Sequence, residues 1–480
     1  MKLDRLKRMV SRTPAIGRLA QDVYRLYRQE RDKERDKKEC YTRLARFDAS
    51  AYLDLSSKPD LNVVVIVVDC MGSSHLSGWG YHRQTTPFLD SIDQRMTAVS
   101  ASTYTYPSVA SVLTGLYPHN HGAVVAGKVK ECAQPQNLLR MRDEVLSLPE
   151  ALSRFGYEVY FGTAMSPAYW AVRARVVPRL YEPSARAEKL LADLTRWIAR
   201  RKGGKFFAYV HLADLHIPLD LPDAFRHYFG HVRGLPNIER YDFLTLEKQE
   251  AKPEEFREYR ENRVLLHDNA LRYVDHAVER FYEGLRQMGL ADSTLFVVTA
   301  DHGEEFWEHS DLGASFYHQG RLCGLGHGYN LFNEVIQVPL LISGPLPGRA
   351  AAGLVSSVDI VPTVLDVLGV RHSMRLDGHS VFADVAPERY LLTEACASGY
   401  EKKALVIGGY KLIYSEDDGI AWLFDLERDP GERTPIVDSG LTSVYVHKLL
   451  RILEADERSR IRRIAERKGL SRPVRRGAGR

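Results

Sequence analysis

The residues best placed to do chemistry are Asp301 and His302, in Ala300-Asp301-His302-Gly303-Glu304-Glu305 after the apolar run Thr294-Leu295-Phe296-Val297-Val298-Thr299. Unbroken β-branched and aromatic residues read as a strand buried on both faces. Its carboxyl end is where ligands bind in open α/β sheets. Carboxylate beside imidazole suits a divalent cation of borderline softness, although an ordinary turn has the same composition. A second run, Asn62-Val63-Val64-Val65-Ile66-Val67-Val68, closes in Asp69-Cys70 with the same grammar. Two such ends suggest adjacent parallel strands whose tips converge on one cation. A third piece is Thr103-Tyr104-Thr105-Tyr106-Pro107-Ser108, continued by Val109 to Gly115. Pro107 suits the first turn of a helix. Thr105 then lies just ahead of a helix amino end, where unpaired N–H groups favour negative charge. A hydroxyl there, beside a cation, can lose its proton and attack phosphorus or sulfur.

Positioning these groups requires strand–helix alternation from Leu61 onward, hence an α/β fold with a doubly wound, mostly parallel sheet flanked by helices. The pattern predicts a helix over Leu146 to Phe155, strands over Glu158 to Gly162 and Phe206 to Leu212, and a helix over Leu190 to Arg200. A long helix over Asp268 to Leu290 feeds the Asp301 strand. Another strand covers Pro339 to Ser343 and a helix Asp359 to Leu368. Near Asp377 the pattern changes to short strands: Tyr390 to Glu394, Lys403 to Ile407, Tyr410 to Tyr414 and Ala421 to Asp425. The expected organisation is a basic helical amino-terminal arm (1–60), a catalytic domain (61–375), a small carboxyl-terminal antiparallel α+β subdomain (376–440) and a basic helical tail (441–480).

At 480 residues, with 44% apolar and 27% charged residues, the chain has the balance of a globular protein with more than one core. A net charge of +4 argues against nucleic acid as the main partner. The five cysteines, Cys40, Cys70, Cys132, Cys323 and Cys396, lack metal-type pairing and fit a reducing compartment. No apolar run reaches the roughly 20 residues needed to span a bilayer, and the amino end lacks a signal-peptide core. A cytoplasmic location is the expectation. In the arm, Ile16, Leu19, Val23 and Leu26 form one helical stripe among arginines, and Arg31 to Lys38 alternates charge densely. The plain reading is a helix packed on the main domain or a neighbouring subunit. The sharper one is peripheral contact of the basic termini with an anionic membrane surface. Oligomeric state is not legible.

Several ordered blocks resemble the sulfatase branch of the alkaline phosphatase superfamily. They begin with the Asp69 strand, Gly78-Trp79-Gly80-Tyr81 and Thr85-Thr86-Pro87. Pro107-Ser108, Leu113-Thr114-Gly115-Leu116-Tyr117-Pro118 and His121-Gly122 follow, then Thr299-Ala300-Asp301-His302-Gly303-Glu304 and Val338-Pro339-Leu340-Leu341-Ile342. The resemblance runs from about Leu61 to about Asp438. It implies a hydrolase of phosphoric or sulfuric esters acting on a small-molecule ester. It also implies one divalent metal ion (Mn, Zn, Mg or Ca), with room for a second, and a helix packed on the small sheet. Asp214-Leu215-His216-Ile217-Pro218 resembles the segment whose histidine contacts the ester oxygens or leaving group, making His216 a catalytic and substrate-binding candidate. His327, in Gly326-His327-Gly328, falls where relatives carry a basic residue at the substrate or metal. His309 is a substrate contact or a loop-fixing residue. His211 and Asp214 read as shape-holding, and His75 and His121 as structural.

Departures from the family pattern bear on the substrate. Formylglycine sulfatases carry Cys or Ser two places before the proline and Arg two after; here stand Thr105 and Val109. Threonine has no route to the formylglycine aldehyde. The lysine- and histidine-bearing sulfate-binding block is replaced by Gly162-Thr163-Ala164-Met165, and the second acid of the usual Asp-Asp pair is Cys70. The remaining set, Asp69, Thr105, Asp301 and His302 around one metal, is similar to that of threonine-nucleophile phosphotransferases. Imidazole tilts the choice of ion toward manganese or zinc, and a buried inert thiol is the plain reading of Cys70. Three readings stay open: phosphate mono- or diester hydrolysis, with phospho-head-group transfer as its variant; sulfate-ester hydrolysis without formylglycine; and non-catalytic anion binding.

Overall fold

A computed structural model of the chain describes residues 34–131, 136–233, 242–317, 323–351, 353–384 and 389–467. The apolar run ahead of Asp69 is a strand, β1 (Asn62–Val68), buried at every position. It lies in the middle of an eight-stranded sheet. The other strands are β2 (Gln94–Val99), β3 (Glu158–Thr163), β4 (Leu180–Tyr181), β5 (Phe206–Leu212), β6 (Thr294–Ala300), β7 (Gln337–Ser343) and β8 (Val355–Ser356). Their order is β8-β2-β7-β6-β1-β5-β3-β4. β1 runs parallel to both neighbours, β5 and β6. β7 pairs antiparallel with β2 and β6 and so runs against the rest. The sheet is mostly parallel, as expected, with later strands added on both sides of β1, which places a switch point at its carboxyl end.

Register delivers the site. Val68 lies opposite Ala300 on one side and Leu212 on the other, so Asp69 and Asp301 emerge level with each other and beside His211. Five helices matter here: α1 (Thr105–Thr114), α2 (Ala187–Ala199), α3 (Pro253–Gln287), α4 (Ile360–Val367) and α5 (Ser439–Arg467). Apolar residues of α1 to α4 join those of the sheet in one core that includes Val109, Leu194, Val274 and Val364.

Two of the differences from the sequence reading have clear causes. β2 was not anticipated because its core-facing stretch is short: Gln94–Val99 is buried only at Ala98 and Val99. α3 begins at Pro253 rather than Asp268, because its first turns are polar and exposed and carry little apolar periodicity.

The carboxyl-terminal part forms a four-stranded antiparallel sheet of β9 (Tyr390–Thr393), β10 (Lys403–Ile407), β11 (Tyr410–Ser415) and β12 (Ile420–Asp425). Tyr445 and Leu449 of α5 pack on Leu392, Leu405, Leu412 and Leu423 of this sheet. The sequence boundary at 440 therefore falls next to a helix docked on the small sheet. At the other end, residues 34–46 are helical. Asp36 accepts from Tyr169 Oη at 2.7 Å and Arg173 Nε at 2.8 Å, and Arg43 Nε donates to Glu150 Oε1 at 2.6 Å. The stripe Ile16 to Leu26 and the end of the tail lie outside the described residues. Among the described residues no helix is long and apolar enough to cross a membrane.

Candidate active site

Each group arrives from a different element. Asp69 follows β1, Asp301 and His302 follow β6, His211 is near the end of β5, and Thr105 is the first residue of α1. Thr105 thus opens the helix, where a place just ahead of it was expected. Gly303 has a steric reason to be glycine. Its N–H donates to Val335 O at 2.7 Å, and a Cβ there would meet Glu334 O at 2.1 Å. Only a bare backbone lets the chain turn so close behind His302.

Thr105 Oγ1 lies 3.3 Å from Asp69 Oδ2 and 3.4 Å from His302 Nε2. His302 Nε2 is in turn 3.5 Å from Asp69 Oδ1 and 3.4 Å from Asp301 Oδ2. Asp69, Asp301 and His302 are fully buried. His302 Nδ1 donates to Gly303 O at 2.9 Å, which leaves Nε2 as the inward-facing lone pair. The structure therefore brings together the four residues Asp69, Thr105, Asp301 and His302.

Burial works against charge on Asp69, yet the His211 hydrogen bond and the neighbouring imidazoles hold it well below the usual carboxylate range. Asp301 is raised, by burial and then by the Asp69 charge. Two buried carboxylates this close do not both ionise without a cation between them. Among the described residues, no hydrogen-bond donor reaches Asp301 Oδ2 although it is buried. An orphaned carboxylate oxygen, a second carboxylate and an imidazole lone pair, all within 4.8 Å of one another, fit a divalent cation.

The remaining candidates divide. His327 stacks beside His302 with ring centroids 4.2 Å apart and shares its Nδ1 with Glu304 Oε2 at 2.5 Å. His216 meets His327 edge-on at 5.4 Å, its Nδ1 donating to Ile217 O at 2.7 Å. Both are half-buried and form the rim. His309 makes its contacts elsewhere: Nδ1 pairs with Glu334 Oε1 at 2.7 Å, Nε2 donates to Gly431 O at 2.9 Å, and the ring stacks on Phe332 at 4.0 Å. Both its nitrogens are thus engaged with neighbouring segments of the chain. His75 pairs with Asp268 at 3.0 Å and His121 with Ser111 at 3.0 Å. Asp214 Oδ1 accepts from the N–H of Ala187 at 3.0 Å, fastening the start of α2.

His211 was underrated. Its Nε2 sits 3.3 Å from Asp69 Oδ2 and 3.7 Å from Asp301 Oδ2, and Tyr209 Oη holds its Nδ1 at 2.9 Å. As the next-to-last residue of a strand beside β1 it lies level with the two acids, but the unbroken apolar run around it does not say which face it takes.

Comparison with known proteins places the chain in a family. The sulfatase family profile matches residues 61–370. The extracellular sulfatase SULF-1 homolog of Drosophila melanogaster is 26% identical over 318 residues, covering 57% of this chain and 27% of the relative. Arylsulfatase K of Bos taurus is 31% identical over 171 residues, covering 32% of this chain and 29% of the relative. The chain thus spans less than a third of the length of these curated relatives. Among solved structures, the phosphonate monoester hydrolase of Agrobacterium radiobacter superposes with a TM-score of 0.62 at 18% identity, over 82% of this chain and 95% of that one. A protein solved with its substrate D-glucosamine-2-N,6-O-disulfate gives a TM-score of 0.61 at 16% identity, over 83% and 98% of the two chains. At such identities the structural matches speak for the fold. With the family profile covering most of the sequence, the chain belongs to the sulfatase family.

Proposed function

We propose that this chain is a metal-dependent hydrolase of phosphate mono- or diesters, or of related sulfate esters, with Thr105 as the nucleophile. The observation that carries this reading is the Thr105 hydroxyl, within 3.4 Å of both Asp69 and His302 at the amino end of a buried helix. Asp69, Asp301 and His302, with Thr105 Oγ1, would hold a divalent cation, which when bound supplies positive charge to polarise the ester and acidify the threonine.

The chain's own groups do the rest. The Thr105 hydroxyl donates toward Asp69 Oδ2, giving its proton a first acceptor. Oγ1 attacks phosphorus in line; the Oγ1–P bond forms as the bond to the ester oxygen breaks. His216 or His327, at the rim, delivers a proton to the departing oxygen. N–H groups of the first turn of α1 face the charge that grows on the phosphoryl oxygens. Water, or an acceptor alcohol, then resolves the phosphothreonine.

Phosphate is favoured over sulfate because threonine at position 105 and valine at 109 exclude the gem-diol chemistry of formylglycine. Sulfate-ester hydrolysis is the second reading, supported by the family profile over residues 61–370. Assays with p-nitrophenyl phosphate, bis-p-nitrophenyl phosphate and p-nitrophenyl sulfate separate the two. Thr105→Ala is expected to lower turnover of the preferred ester by at least about 10³-fold, with Thr105→Ser retaining part of it. Turnover confined to the sulfate ester would reverse the preference. No turnover of any ester by metal-loaded protein would leave only the anion-binding reading.

A further inference from the structure

We propose that Cys70 is a ligand of the cation site, its sulfur adding a soft donor to Asp69, Asp301 and His302. The site then selects a zinc-class ion over magnesium or calcium. The inference rests on the cation-site part of the proposed function and is independent of the role given to Thr105.

Cys70 belongs to the main apolar core, but its sulfur also meets polar groups. Cys70 Sγ lies 3.0 Å from Asp69 Oδ1 and 3.6 Å from His327 Nδ1, and the residue is buried. Sγ and the ligating nitrogens of His302 and His327 all fall within 4.8 Å of one another. His302 belongs both to this group and to the group it forms with Asp69 and Asp301.

The backbone is bent to this end. Cys70 has φ +61°, a left-handed conformation uncommon for a residue with a Cβ. His267 Nε2 holds its carbonyl oxygen at 3.3 Å. That turn directs the sulfur toward the acids. His327, held by Glu304 through Nδ1, flanks the sulfur at 3.6 Å.

Thiolate, imidazole and carboxylate together are a donor set for zinc-class ions, whereas magnesium and calcium take oxygen. As the sulfur–metal bond forms, the thiol proton is released to solvent and the oxidation state of sulfur is unchanged.

The test is cobalt substitution of the chelator-stripped full chain. Cobalt(II)-loaded wild type is expected to show a near-ultraviolet thiolate-to-cobalt charge-transfer band. Cys70→Ser should lose the band, and Thr105→Ala should keep it. In a competition dialysis, Cys70→Asp should shift the zinc-to-magnesium preference away from zinc by on the order of 10-fold or more. Aspartate tolerates the left-handed backbone, so this variant carries the comparison if the serine variant fails to fold. Failure of wild type to bind cobalt, absence of the band from loaded wild type, or its survival in Cys70→Ser overturns the proposal. Full turnover by Thr105→Ala would count against the nucleophile and leave this result untouched.

Discussion

Asp301 and Asp69 show why this site calls for a cation. Burial raises Asp301, the neighbouring carboxylate raises it further, and among the described residues no hydrogen-bond donor reaches its Oδ2. Asp301→Asn removes a charged donor while nearly keeping the shape. Bound zinc or manganese, measured by elemental analysis after dialysis, should fall by on the order of 10–100-fold in affinity. Unchanged metal content would remove Asp301 from the ligand set. At this scale the sequence was informative where a residue ended a strand. Asp69 and Asp301 were legible because each closes an unbroken apolar run. His211 was not, because it sits inside Phe206–Leu212, and a strand buried on both faces does not say which way a given side chain points. His309 misled for the opposite reason. It lies in a loop of acids and aromatics, where contacts with Glu334 and Gly431 come from segments far along the chain.

The elements place these residues through strand register and one close turn. Most strands of the sheet were legible as apolar runs, and the small sheet as short runs between turn residues. The antiparallel direction of β7 was not, since Gln337–Ser343 reads the same in either direction. The turn after β6 depends on Gly303, whose missing Cβ makes room for Glu334 O. Gly303→Ala is expected to destabilise the protein by about 2–4 kcal/mol, seen in urea unfolding, because the obstructing atom is backbone and yields little. A change under about 0.5 kcal/mol would mean the turn is not held as tightly as described.

For the molecule as a whole, the small sheet and α5 are tied to the main domain by partly buried charge. His119 Nδ1 meets Glu394 Oε1 at 2.5 Å and its Nε2 meets Asp456 Oδ2 of α5 at 3.0 Å. Burial works to lower the His119 pKa, but Glu394 and Asp456 outweigh it and push it up to about 9. A histidine raised from its ordinary ~6.5 contributes its stability fully below that pH. The contribution, on the order of 2–3 kcal/mol, declines as pH rises and is lost above about 9. His119→Gln should therefore unfold at lower temperature than wild type at pH 6, with the gap closing by about pH 10. A gap independent of pH would show that the charge on His119 is not what joins the parts. None of this tie was legible in the sequence, since His119 lies 275 residues from Glu394 and 337 from Asp456. Docked in this way, the second layer leaves the chemistry to the strand tips, and the account stands or falls on the alcohol of Thr105. The most direct measurement is rapid acid quench of metal-loaded protein during turnover of a phosphate ester, followed by peptide mapping. Phosphate on Thr105 in wild type, absent from Thr105→Ala, is the predicted result; an unmodified Thr105 peptide together with full turnover by Thr105→Ala would contradict it.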